Sequence, residues 1–346
     1  MSECCCGCSC SDAERAVAGG RDAVATPVDG RITASDRLDH FAARWSIRRG
    51  EHRVAPGLYA LGRPGPDSPV LVTANYTLSF DALRSAVAGI DAHILVLDTK
   101  GINVWCAAGK GTFGTDELAH RVEVCRLAEV VNHRILTVPQ LGATGVDARE
   151  VLNRTRFQVR FGPVRASDLP RYLETGEATR EMRTVTFGLA DRAVLIPVEF
   201  VHVVLPAVVA AVLLYFLSGP LAAWAAVASV LAGSVVFPLL LPWLPTPNFS
   251  TRGAALGLLV ALPFCLATLA GDGAVWARVG MAAGLLAAAT SITAFLALNF
   301  TGSTTFTSRT GVRLEILSFF PAMVWSFVPG VLVVIGVSIA RLVGVV

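Results

Sequence analysis

Residues 70–98 read VLVTANYTLSFDALRSAVAGIDAHILVLD. Two β-rich runs, Val70 to Ala74 and His93 to Asp98, enclose a segment of helical periodicity near 80–89. The alternation continues through a helix near 116–132, a run from Arg134 to Val138, a helix near 147–154, a run from Phe157 to Phe161 and a helix near 167–175. Strands alternating with helices predict an α/β, Rossmann-like domain built on a parallel sheet. Ligands of such folds sit at the carboxyl ends of the strands. The loops to inspect are therefore Asn75-Tyr76-Thr77, Thr99 to Gly114, Pro139 to Gly145, and Gly162-Pro163.

The second loop is 16 residues long, where connections in α/β units usually take about 2 to 6. It is apolar in its middle, so it must bury itself against something. Gly109, Gly111 and Gly114 match G-x-G-x-x-G ahead of a helix. A dinucleotide fingerprint should follow its strand directly, whereas ten residues separate Asp98 from Gly109, and no acid closes a βαβ unit at the required offset. A phosphate-binding P-loop fails too, because Gly111 follows Lys110. What remains is a helical piece of one or two turns, Asn103 to Gly109, presenting Cys106 between Trp105 and two alanines. Ala107 and Ala108 remove bulk and the glycines allow close backbone approach, so a large flat surface could reach the sulfur. On the residues alone, Cys106 is a buried structural cysteine, a metal or cofactor ligand, or a covalent nucleophile. No His/Asp pair stands out as its base: His93 opens a strand, His120 lies on a helix face and His133 ends a helix.

The remainder of the chain is of another kind. Residues 1–192 hold 24 of the 29 Lys+Arg and 23 of the 26 Asp+Glu, which leaves 5 basic and 3 acidic side chains for the last 154 residues. A span needs about 20 apolar residues to cross about 30 Å of hydrocarbon. Five stretches qualify, near 197–217, 221–244, 252–270, 275–300 and 317–340, and predict an all-α transmembrane domain of five helices. Arg183, Arg192, Arg252, Arg309 and Arg313 fall on one face against Arg278 and Arg341 on the other, so the positive-inside rule favours a cytosolic N-terminus and a C-terminus across the membrane. Glu199 and His202 share a helix face near the start of the first span, where they could hold a proton or metal. The scarcity of other charges favours an anchor with small-residue helix packing over a transport pathway.

The soluble front carries a net charge of 24 − 23 = +1 and no dense basic stripe, which argues against a nucleic-acid partner. Of eight cysteines, five crowd into Cys4, Cys5, Cys6, Cys8 and Cys10, where neighbours cannot pair without strain. Their spacing fits neither a ferredoxin run nor a zinc finger. Dense thiols of this kind would capture soft ions such as Cu(I), Zn(II) or Hg(II); the competing reading is a dispensable extension. Cys125 shares a helical stripe with Leu118 and Val122, and Cys265 lies in an apolar span, so both read as core. Residues 11–44 read as a solvated lead-in. No apolar h-region of a signal peptide opens the sequence, so the front is expected in the cytosol with its thiols reduced. The expected organisation is thus a tail and lead-in over 1–44, a soluble domain over 45–192 and the spans over 193–346.

At Asn103-Val-Trp-Cys-Ala-Ala-Gly-Lys110 the sequence resembles the membrane-bound corrinoid protein family of microbial mercury methylation. The similarity extends through Val72-Thr-Ala-Asn-Tyr76, Pro139-Gln-Leu-Gly-Ala143, Phe161-Gly-Pro-Val-Arg-Ala166 and Asn299-Phe-Thr-Gly302, and so covers roughly residues 45–346. That family is related in its soluble part to the corrinoid iron-sulfur protein of the acetyl-CoA pathway. The resemblance implies a corrinoid-binding domain whose cap-helix cysteine, here Cys106, is the lower axial ligand to the cobalt of cobalamin. It implies a methyltransferase that passes a methyl group, as a carbanion equivalent, from methyl-cobalamin to Hg(II). The implied partners are a methyl-folate donor system and a reducing ferredoxin with two 4Fe-4S clusters, at the cytoplasmic membrane and its lipid. Expected corrin contacts in the cap segment are Asn103, Val104, Trp105, Cys106, Ala107, Ala108, Gly109, Lys110 and Gly111, and loop position adds Thr73, Asn75, Gly142 and Ala143. An anionic sulfur opposite the methyl group would push electron density onto cobalt and stabilise the Co(III) left behind, and thiolate-bound mercury can pass between sulfurs, which gives the N-terminal cysteines a delivery role. Two alternatives stand beside this: a corrinoid methyl carrier for one-carbon metabolism or another soft acceptor, and a metal-binding membrane sensor or transporter.

Overall fold

The computed structural model describes residues 25–304 and 308–345. Two compact units emerge, one holding the chain up to His40 and Arg48–Thr184, the other Phe41–Ile47 and Val185–Val346.

The first unit is built on a six-stranded sheet: β1 (Thr26–Val28), β2 (Gly57–Leu61), β3 (Val70–Ala74), β4 (Ala92–Leu97), β5 (Ile135–Val138) and β6 (Gln158–Phe161), in the order β1-β2-β4-β3-β5-β6. Strands β4, β3, β5 and β6 run parallel, as the alternating pattern predicts. The sheet as a whole is mixed, because β2 pairs antiparallel with β4 and carries β1 at its outer edge. Every residue of β3 and β4 is buried, as expected of strands covered on both faces. Helices α2 (Thr77–Ala86) and α6 (Leu169–Thr175) cover one face through Phe80, Leu83 and Tyr172. On the other lie the short α3 (Val104–Lys110), α4 (Thr115–Val124) and α5 (Ala148–Thr155), which pack Ala107, Leu118 and Val151 into a cluster with Val72, Leu97 and Val138. The helix expected over 116–132 is broken at Arg126, whose φ of 48° cannot continue it.

The solvated lead-in expected over 11–44 does not hold for its later part, which forms β1 and helix α1 (Ala34–Arg44). Polar groups rather than apolar ones tie this segment down, so a hydrophobicity reading passes over it. Arg84 of α2 donates to Asp81 at 2.7 Å and Asp36 at 2.8 Å, and to the carbonyls of Asp29 and Arg31. His40 pairs with Asp81 at 2.6 Å and His52 with Asp39 at 2.7 Å.

A second clasp fixes the long loop after β4. Asn75, buried at the end of β3, accepts through Oδ1 from the Thr99 backbone N–H and hydroxyl and from the Gly101 N–H, at 2.8 to 3.0 Å. Its Nδ2 donates to Asp98 at 3.1 Å.

In the second unit five helices are long and apolar enough to cross a membrane. They are α7 (Ile196–Ser218), α8 (Pro220–Leu231, prolonged through a π-helical turn to Leu240), α9 (Phe249–Ala270), α10 (Val275–Asn299) and α11 (Arg309–Leu342). Small residues set the contacts: a Cβ on Gly253 would lie 2.4 Å from that of Ala297, and one on Gly284 would lie 2.8 Å from the Gly330 carbonyl.

Three outcomes follow for the first unit. Asn75→Ala strands the buried Thr99 N–H and removes the acceptor of the half-buried Gly101 N–H, while the Thr99 hydroxyl keeps the Ile102 carbonyl, and should cost about 1–3 kcal/mol, read as faster amide exchange over 99–103. Arg84→Met takes the guanidinium from buried Asp81, which keeps only His40, and should cost up to about 3–5 kcal/mol. The Thr33 backbone N–H, followed by Arg84, holds the Asp36 carboxyl below the usual range against its partial burial. The stability it lends is therefore complete above the ordinary carboxylate pKa and is lost as pH falls through the depressed value. Exchange over 34–44 should accelerate in acid before that of β3 and β4.

Candidate functional site

The strand order changes direction at β3, which leads first to β4 on one side and later to β5 on the other. Chains leaving β3 and β5 diverge, and the crevice between them is the expected ligand position of a doubly wound sheet. Helix α3 packs against the turn Gln140–Gly142 that follows β5 and against β3 itself.

Local chemistry explains why a helix forms there. Asn103 is its N-cap, with Oδ1 accepting the Cys106 N–H at 2.9 Å. Gly111, at φ 83°, ends it in the left-handed conformation that favours glycine. Gly114 is the N-cap of α4. The glycine triplet is thus the end of one helix and the start of the next, a role distinct from cradling phosphates. Seven residues give two faces. Val104, Ala107 and Ala108 are buried in the core cluster, while Asn103, Gly109 and Lys110 are exposed and Trp105 and Cys106 half-buried. The loop after β5 closes against the same helix with no room to spare: a Cβ on Gly145 would lie 2.2 Å from the Phe113 carbonyl and 3.0 Å from the Ala108 Cα, and one on Gly142 would lie 2.5 Å from the Phe113 ring.

Of the anticipated residues, the structure brings together α3, Gly142 and the half-buried Ala143. Thr73 is buried within β3, paired with Val96. Asn75 is engaged at both ends of its amide, so it acts on the site through the loop it clasps. Val104, Ala107 and Ala108 support the helix from beneath. Cys4, Cys5, Cys6, Cys8 and Cys10 lie outside the described residues. Glu199 and His202 turn to different partners, Glu199 accepting from Ser303 and His202 meeting the Val198 carbonyl one turn back. Among the described residues no group of three or more His, Cys, Asp or Glu gathers to hold a metal. Cys125 packs against the core, and Cys265 is buried.

Burial pushes the Cys106 thiol above its ordinary value, while Lys110, Asn103 and Arg49 pull it the other way. The sulfur therefore keeps its proton until an electrophile or soft metal displaces it, and two cations lower the cost of the thiolate. Three contributors escape the sequence reading: Arg49, Thr99 and Phe113. Arg49 is brought close because residues 52–54 run alongside 75–77, where the Val54 N–H donates to the Asn75 carbonyl and the Thr77 N–H to that of His52. No local pattern announces a contact across that separation.

Residues 48–173, which contain this site, match the family described as CO dehydrogenase/acetyl-CoA synthase delta subunit. Curated relatives include the acetyl-CoA decarbonylase/synthase complex subunit gamma of Archaeoglobus fulgidus, 34% identical over 131 residues, covering 37% of this chain and 27% of the relative. That of Methanopyrus kandleri is 34% identical over 128 residues, or 36% and 27% of the two chains. That of Methanosarcina acetivorans is 31% identical over 125 residues, or 35% and 26%. The chain thus spans about a quarter of the length of these relatives, and the five apolar helices lie outside the family match. The soluble portion of this chain is related to subunits of the acetyl-CoA decarbonylase/synthase complex.

Proposed function

We propose that this chain is a corrinoid-dependent methyltransferase, with its corrinoid domain over 45–192 and a five-helix membrane anchor over 193–346, and that it delivers a methyl group to Hg(II). One observation carries the reading. A soft sulfur donor stands on a core-anchored cap helix at the crevice between β3 and β5, in a segment related to subunits of a one-carbon enzyme complex.

The residues present fit a corrin. A broad ring needs a floor without bulk, and a Cβ added to Gly109 or Gly111 would meet nothing within 4 Å. It needs an axial donor, and Cys106 lies half-buried on the outward face of the helix with Asn103 and Lys110. A corrinoid, when bound, supplies a cobalt centre able to carry a methyl group.

The chain's own residues then have separable tasks. Cys106 would give up its proton and hold the metal of the corrinoid through its sulfur, and the thiolate's negative charge would favour transfer of a methyl group, with its bonding electrons, to an electrophile. Lys110 and Arg49 stabilise that thiolate. Asn103, Trp105, Gly109, Lys110 and Gly111 line the ring's approach, while Val104, Ala107, Ala108, Thr73, Asn75, Gly142 and Ala143 hold the helix and crevice in place. The N-terminal cysteines, or those of a partner, hand over mercury. A ferredoxin-like protein with two 4Fe-4S clusters supplies electrons and a methyl-folate system the methyl group. The soluble part faces the cytosol, with the C-terminus across the membrane.

The names of the relatives favour a second acceptor class, a carrier in one-carbon metabolism. A panel of acceptors offered to the corrinoid-loaded chain separates the two. In the full chain in membranes, Cys106→Ala should reduce methylmercury formation by more than the about 10- to 100-fold that losing a supporting residue costs, and should alter the visible corrinoid spectrum. Cys106→His, which keeps a ligand, should retain part of the activity. Full activity with an unchanged spectrum in Cys106→Ala contradicts axial ligation.

A further inference from the structure

The membrane-spanning unit contains a cavity of about 970 Å³ that methyl transfer leaves without a task. Its walls come from the residues ahead of α7, the connection between α8 and α9, and the first turns of α11. Because successive spans alternate in direction, these three segments share one end of the bundle, the end richer in arginine.

Among the described residues two cations line this cavity, the buried Arg192 and the half-buried Arg252. Arg192 is only 4% exposed. It donates to the carbonyls of Gly188, Pro238 and Leu239, and its guanidinium lies 5.9 Å from the centre of the Trp243 ring. Arg252 donates to the Thr246 carbonyl at 2.6 Å. Carbonyls orient a guanidinium without neutralising it. Among the described residues no carboxylate comes within ion-pair distance of either arginine. Glu315, the one carboxylate among the described residues of the wall, accepts from the Ser250 N–H at 2.6 Å and serves the start of α9. A buried cation without a counter-charge is costly, so buried charges are ordinarily paired. Most of the remaining wall is apolar, with Phe187, Leu241, Phe249 and Phe319, beside the polar Asn248, Ser308 and Ser318. The missing partner should therefore be an anion that also carries hydrocarbon.

We infer that this cavity binds one anionic glycerophospholipid, with Arg192 and Arg252 supplying the charge for its headgroup and the aromatic and leucine wall receiving the start of an acyl chain. A basic pocket among span ends is suited to such a headgroup. The inference stands apart from the methyl-transfer reading, since none of its residues belongs to the soluble unit.

The test is native mass spectrometry of the full chain in detergent, titrated with phosphatidylglycerol, phosphatidylcholine or inorganic phosphate. Phosphatidylglycerol should be retained at one per chain and at least tenfold more tightly than zwitterionic phosphatidylcholine. Arg192 also braces the bundle through three carbonyls, so Arg252 is the residue to substitute. Arg252→Gln should weaken phosphatidylglycerol retention at least tenfold, and Arg252→Lys should restore most of it. Equal retention of the two lipids, or unchanged retention in Arg252→Gln, overturns the inference. Displacement of phosphatidylglycerol by an equal concentration of inorganic phosphate would assign the cavity to a free anion and overturn the lipid.

Discussion

Two parallel strands that send their chains in opposite directions leave a gap at their carboxyl ends, and every feature of the soluble site follows from that gap. A short helix packs at the divergence of β3 and β5, against β3 and the turn after β5, and Asn75 clasps the loop that leads to it. Helix α3 is too brief to persist by itself. It exists because Asn103 and Gly111 cap it and because Val104, Ala107 and Ala108 bury into the core beneath. Core packing thereby fixes the backbone that carries the Cys106 sulfur, to a precision that a free loop of 16 residues would not reach.

The surrounding contacts act on that geometry at one remove. Asn75 draws the start of the loop down onto β3, and Gly145 and Gly142 let the loop after β5 close on Ala108 and Phe113. Arg49 and Lys110 add positive charge to a position where burial alone would keep a thiol protonated. Rigid placement and tuned charge are the two properties that an axial ligand requires.

Much of this was legible in the sequence, for a physical reason. β3 and β4 are covered on both faces, so their apolar runs stand out, and the length and apolar middle of the 99–114 loop mark it as buried rather than solvated. What escaped is held by polar contacts between distant segments. Nothing in Thr26–Val28 or Ala34–Arg44 announces a strand and a docked helix, since their anchors are Arg84, Asp81 and His52, up to 55 residues away. The antiparallel edge was missed for a related reason: β2 is short, half-buried and bounded by glycines, so its direction is decided by the strand it joins. In the apolar half the spans were evident from composition, while the pairing state of Arg192 and Arg252 depends on which carboxylates the packed helices bring near.

The central claim is a bond between the sulfur of Cys106 and cobalt. X-ray absorption at the cobalt edge of the full chain loaded with a corrinoid measures it directly. The account predicts a sulfur neighbour in the first coordination shell that disappears in Cys106→Ala. A first shell of nitrogen and oxygen alone in the unaltered protein would contradict it.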